Sequence, residues 1–110
     1  MFAEVGRNTL DPSRMPNVEV LQELQALLAK QPGYRGYMAI EGQDHQRIFV
    51  RIWDTEAAAK AASQSEELKR FSEHHISPSV TEREVIGRGQ LLHSDLVQLF
   101  KAEAQRGDHL

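Results

Sequence analysis

Residues Phe2 to Leu10 alternate in direction: Phe2, Glu4, Gly6, Asn8 and Leu10 point one way and Ala3, Val5, Arg7 and Thr9 the other, which predicts a strand. The period then changes. Val20, Leu21, Leu24, Leu27 and Leu28 form an apolar stripe at helical spacing, opposed by Glu19, Gln22, Glu23, Gln25 and Lys30. Asp11 can cap a helix and Pro12 suits its first position, but Pro16 breaks that register, so the regular helix begins as late as Asn17. Pro32 and Gly33 stop it. Tyr34 to Glu41 and Gln46 to Trp53 read as two strands joined through "EGQDH", a hairpin.

Asp54 or Thr55 caps the next helix, where Ala57, Ala58, Ala59, Ala61 and Ala62 combine high helix propensity with little bulk and so permit close approach to a sheet. Ser63 and Glu66 have capping-box spacing, which predicts a bend at "SQSE" and a second helical piece from Ser65 to His75 with Leu68 and Phe71 inward. Pro78 ends it. Val80 to Leu92 mixes β-branched and charged residues with two glycines and predicts a fourth strand, bent by a bulge near Gly87 or Gly89. Ser94 or Asp95 then caps a short helix with Leu96, Val97, Leu99 and Phe100 on one side, before a fraying tail. Residues 1–92 are read as one domain and 93–110 as a helical extension and tail.

The order strand, helix, strand, strand, helix, strand is the split arrangement of the ferredoxin-like α+β fold, a four-stranded antiparallel sheet with both main helices on one face. On the third strand Ile48, Val50 and Ile52 alternate with Arg47, Phe49, Arg51 and Trp53, so large apolar groups lie on both faces while helices cover only one. Apolar surface left wet costs roughly 25 cal/mol per Å². A second copy pressed against the bare face removes that cost, and a homodimer is expected, with the turn from Leu96 to Phe100 as a candidate to wrap onto the partner.

Composition narrows the class. The 110 residues are 40% hydrophobic and 26% charged, as in ordinary globular domains. A formal charge of −3 lacks the basic surplus that phosphate contacts require, so nucleic acid is not an expected partner. The absence of cysteine excludes disulfides and thiolate chemistry. The start "MFAEVGRNTL" has no secretory apolar stretch, and no apolar run approaches the roughly 20 residues that span a bilayer. A cytoplasmic protein, free of membrane, is the expectation.

"PGYRGY", the strand ending "IW" ahead of "DTEAAAKAASQS", and the paired histidines before "TEREVIGRG" together resemble the antibiotic biosynthesis monooxygenase family of the dimeric α+β barrel superfamily, over about residues 2 to 92. The resemblance implies a ferredoxin-like subunit, a dimer whose sheets form a barrel, and a small-molecule pocket between sheet and helices in each subunit. The family includes oxygenases of polyketide aromatics and quinols that need neither metal nor flavin, haem-degrading oxygenases, isomerases and proteins of unknown role.

Six side chains are candidates for the site. Asn8 lies near the end of the first strand, where haem-degrading members of the family carry an asparagine that orients the oxygen ligand; its structural alternative is an Asn that bonds the adjacent turn. Trp53 can cover a planar substrate and donate its N–H, or simply close the core against Ala57 and Ala61. The tryptophan of the haem-degrading branch falls at about Ala62, and this chain lacks it. His74 and His75 are about 100° apart on a helix, so one can face inward. His74 follows Phe71 by three positions and is the favoured proton acceptor, His75 the rival; the alternative is a helix-end histidine bonding terminal carbonyls. Two histidines without a third ligand make no metal site. Tyr37, which is expected to share a side with Arg35 and to face opposite to Tyr34, can hydrogen-bond a phenol or quinone, with Phe71 and His75 also lining the substrate pocket. Arg51 with Glu82 or Glu84 is expected to form cross-strand pairs on the barrel side.

No serine-histidine-aspartate order, phosphate loop or paired-carboxylate spacing is present, so hydrolase and phosphotransfer chemistry have no support. Three functions stand: a cofactor-free monooxygenase of a phenolic or quinol-like aromatic, using His74, Asn8 and Trp53; a ligand-binding or stress-related barrel without catalysis; and a haem-binding or haem-degrading member.

Overall fold

The computed structural model describes residues 1–94, so the expected helix over Leu96 to Phe100 lies outside the described residues. Strand β1 spans Phe2–Leu10, helix α1 Val18–Ala29, β2 Tyr34–Glu41, β3 Gln46–Trp53, α2 Glu56–Ser63, α3 Glu66–His75 and β4 Val80–Gln90, with a 3-10 turn at Ser77–Ser79 before β4. The four strands form one antiparallel sheet in the order β2-β3-β1-β4, the ferredoxin-like α+β arrangement.

Local chemistry explains the boundaries. Asn17 caps α1 by accepting a 3.0 Å hydrogen bond from the Val20 N–H, so the later of the two possible starts is the one used. Asp11, the earlier candidate, instead accepts from the Ser13 N–H at 2.9 Å in a local turn. Gly33 follows α1 at φ +83°, and a Cβ there would sit 2.6 Å from Ala58, so both backbone angle and the close approach of α2 require glycine. The helical bend falls where "SQS" predicts it, but the second cap is Ser65, which accepts from Leu68 N–H; Ser63 donates to the Lys60 carbonyl and forms no capping box. In β4 the register shifts opposite Val5 and Gly6, between Val85 and Gly87, leaving Ile86 as the extra residue of the bulge.

Phe2, Leu24, Leu28, Trp53, Ala59 and Ala62 form the buried core between the sheet and the helices. Leu24 and Leu28 are the inner edge of the α1 stripe, and the small Ala59 and Ala62 let α2 lie close over Trp53. It is Ala59 and Ala62, one helical face round from the expected Ala57 and Ala61, that close on the indole. The other sheet face carries Val5 and Ile48, Val50 and Met38, Ile40 and Ile52, and no helix packs on it among the described residues. Ile40 is 52% exposed there and Met38 38%.

Candidate active site

Between the helix side of the sheet and the three helices lies a cavity of about 630 Å³, within the usual range of small-ligand pockets. Strand parity decides what enters it. Glu4 and Asn8 of β1, Tyr37 of β2, and Arg47, Phe49, Arg51 and Trp53 of β3 all line it, facing Leu24 and Leu28 of α1 and Leu68 of α3. Its floor is therefore an aromatic strip bordered by cations.

Phe49 lies flat across the backbone of Gly6, its register partner on β1. A Cβ on Gly6 would stand 2.3 Å from Phe49 Cζ, so the ring can occupy this place only because residue 6 has no side chain. The Arg51 guanidinium carbon sits 5.0 Å from the centre of the same ring, a cation–π contact. Trp53 is 1% exposed; its Nε1–H donates a 3.0 Å bond to Glu4 Oε1 and its ring meets Tyr34 edge-on at 5.9 Å. Trp53 is a core residue whose surface also lines the cavity, and its N–H, expected to be free for a substrate, is taken by Glu4.

Tyr37 stands opposite Arg51 in the β2–β3 ladder, and burial raises its hydroxyl pKa above the ordinary value, with Arg51 and Arg47 pulling the other way. Tyr34 packs on the same core as Tyr37, not on the opposite face. The register slips between Tyr34 and Gly36, and that irregularity returns both rings to one side; Arg35 turns instead to Asp54 and pairs with it. Asn8 pairs in register with Arg47 on one side and Arg83 on the other, and it lines the cavity.

His74 and His75 are exposed and line no part of the cavity. His74 Nδ1 lies 2.8 Å from the Arg70 carbonyl, the helix-end arrangement, and His75 stacks on Phe71 with centroids 4.7 Å apart. Phe71 is half-buried against the core and outside the cavity wall. The inward-facing histidine expected from helical spacing is thus absent: α3 packs on the core through Leu68 and Phe71 and faces the cavity with Leu68 and Ser72, which leaves His74 and His75 outward.

Sequence reasoning missed Arg47, Arg51 and Glu4 as pocket residues, although they share the parity of Trp53. Arg51 does not reach across to Glu82 or Glu84: Glu84 pairs with Arg7 on the opposite face, and Arg51 lies within. Burial lowers the Arg51 pKa from its ordinary value, with Tyr37 and Glu4 favouring the charged form.

A haem does not fit this lining. Among the described residues no histidine borders the cavity, the raised Tyr37 pKa disfavours a phenolate ligand, and Ala62 supplies no tryptophan. Among the described residues no group of three or more His, Asp or Glu side chains could hold a metal ion, and no helix is long and apolar enough to cross a membrane.

The family model described as antibiotic biosynthesis monooxygenase matches residues 1–74. No curated protein matches the chain significantly. Among solved structures, SnoaB from Streptomyces nogalater, a cofactor-independent oxygenase, superposes with a TM-score of 0.68 at 17% identity, covering 86% of this chain and 96% of its own. An antibiotic biosynthesis monooxygenase gives 0.67 at 14% identity, covering 84% of this chain and 100% of its own. A conserved protein from Methanosarcina mazei gives 0.68 at 15%, covering 83% and 92%. At these identities the likeness is one of fold.

Proposed function

The chain belongs to the antibiotic biosynthesis monooxygenase family, and we propose that it is a small monooxygenase that oxidises a phenolic or quinol-like aromatic with dioxygen and no resident cofactor. The observation that carries this reading is the cavity itself: an aromatic floor of Phe49 and Trp53 beneath apolar helix residues, with Tyr37 and Asn8 as polar groups at its edge. Its likeness in fold to a cofactor-independent oxygenase supports the same reading.

The chemistry asks little of the protein. An ionised hydroxyarene passes one electron to dioxygen; the aryloxyl and superoxide radicals then combine at a ring carbon, forming a C–O bond. The resulting peroxide takes up the proton first lost from the hydroxyl. Loss of the ring C–H proton breaks the O–O bond, leaving a quinone carbonyl and water. Hydroxyarene and dioxygen thus give quinone and water, with one oxygen atom in each product. The cavity holds the flat ring between Phe49 and the α1 leucines, Tyr37 and Asn8 hydrogen-bond the oxygen substituents, and the buried Trp53 keeps water from the floor.

A second reading, a ligand-binding barrel without catalysis, draws on one observation: neither histidine reaches the cavity to act as base. Oxygen uptake by chelator-treated protein with a panel of naphthols and hydroquinones separates the two. Consumption of one dioxygen per quinone formed, above the rate without protein, is expected; saturable binding without uptake would leave only the second reading.

We also propose a homodimer built on the uncovered sheet face, supported by the row of Val5, Val50, Met38 and Ile40 that no helix among the described residues covers.

A further inference from the structure

Two guanidinium nitrogens in the cavity have no hydrogen-bond partner among the described residues: Nη1 of Arg47 and Nε of Arg51, both buried from solvent. They lie on one face of β3 with Phe49 between them, so two cations flank the aromatic floor. A buried donor left bare is costly, and a charged one more so.

The nearby carboxylates are engaged elsewhere. Glu4 accepts from Trp53 Nε1 and pairs with Arg88 at 3.4 Å. Glu84 pairs with Arg7. Glu41 lies 3.8 Å from the other terminal nitrogen of Arg47, but its side chain is 69% exposed at the rim. Arg83 adds a third cation to the wall and donates to Ser77 Oγ at 2.6 Å, while Lys69 and Glu73, on exposed positions of α3, offset each other.

We infer that Arg47 and Arg51 form an oxyanion subsite, which takes the ionised oxygen of an aromatic guest, a carboxylate or a phenolate, with the ring over Phe49. This rests on the cavity being a binding site, and so deepens the reading above without depending on oxygenation. Guanidinium N–H groups make charge-assisted bonds to such oxygens, and a dry wall strengthens them. The same cations favour the charged form of a bound hydroxyarene, which supplies the anion that oxygenation needs in a cavity lined by no histidine among the described residues.

Trp53 is the sole tryptophan and lines the cavity, so its fluorescence reports binding directly. The wild-type protein is titrated with naphthalene carboxylate and with the neutral naphthalene carboxamide, and by calorimetry with nitrophenolate and nitroanisole. The charged member of at least one pair is expected to bind about ten-fold tighter or more; which pair shows it names the oxygen. Arg51→Met and Arg47→Met are expected to erase the preference while keeping or raising the melting temperature, since each removes an unpartnered buried N–H. Equal affinity within both pairs, no binding by any probe, or a preference undiminished in both variants would overturn the assignment. Intact charge preference without oxygen uptake would remove the monooxygenase reading and leave the subsite standing.

Discussion

The indole N–H of Trp53 donates to the carboxylate of Glu4 across the β1–β3 ladder, and the other Glu4 oxygen meets Arg88 of β4. One acid thereby ties three adjacent strands together and sets the plane of the ring that floors the cavity. Glu4→Leu would strand a fully buried N–H, and the unfolding free energy should fall by about 1–3 kcal/mol. Glu4→Gln keeps an acceptor and should lose clearly less. Urea denaturation followed by Trp53 fluorescence measures both, and equal losses would mean that the bond does not hold the indole.

Gly6 should tolerate no side chain while Phe49 is present. Gly6→Ala is expected to destabilise the fold by about 1–3 kcal/mol through overpacking, because the new methyl meets the Phe49 ring. Combining it with Phe49→Leu should cost less than the sum of the two single changes. Additive losses in a double-mutant cycle would show that the clash is relieved elsewhere.

These two contacts mark how far the sequence could be read. Alternation on the first and third strands, the Pro-Gly stop, and the alanines of the second helix are local signals, and with them the four strands, the three α-helices and the antiparallel sheet were expected, though not the 3-10 turn at Ser77–Ser79. The parity that puts Trp53 toward the helices also puts Arg47 and Arg51 there, yet the charge of Arg51 suggested cross-strand pairs with Glu82 or Glu84. Only the depth of the cavity shows that they are held inside it. The histidines failed for a different reason: spacing fixes which residues share a helix face, but the packing of α3 on the core through Leu68 and Phe71 fixes which face turns inward. Tyr34 was misplaced by a register slip that no local pattern announces.

Burial raises the Tyr37 pKa in the folded state, so its contribution to stability is fully present below the unfolded value of 10.0. Above that pH the unfolded chain releases the proton first, and the contribution is lost as pH rises through the folded value. Unfolding free energies of wild type and Tyr37→Phe should therefore draw together in alkaline buffer, relative to neutral pH. Tyr34 is shifted in the same direction by burial and, in smaller part, by Tyr37, so its own alkaline loss is smaller in the variant and adds to the convergence. A difference constant across that range would contradict the burial of Tyr37.

The uncovered sheet face should join two chains. Sedimentation equilibrium at micromolar concentration is expected to give twice the mass of the 12.5 kDa chain, and Val50→Asp, at the centre of that face, should shift it toward the monomer. A wild-type monomer would leave the apolar row without its proposed cover.

Metal-stripped protein, an oxidisable naphthol and isotopically heavy dioxygen put the proposed chemistry to its most direct test, read by mass spectrometry of product and solvent water. One heavy atom in each quinone molecule and one in water is the expected result. A quinone whose new oxygen comes from water, or hydrogen peroxide accumulating in place of labelled water, would contradict monooxygenation in this cavity.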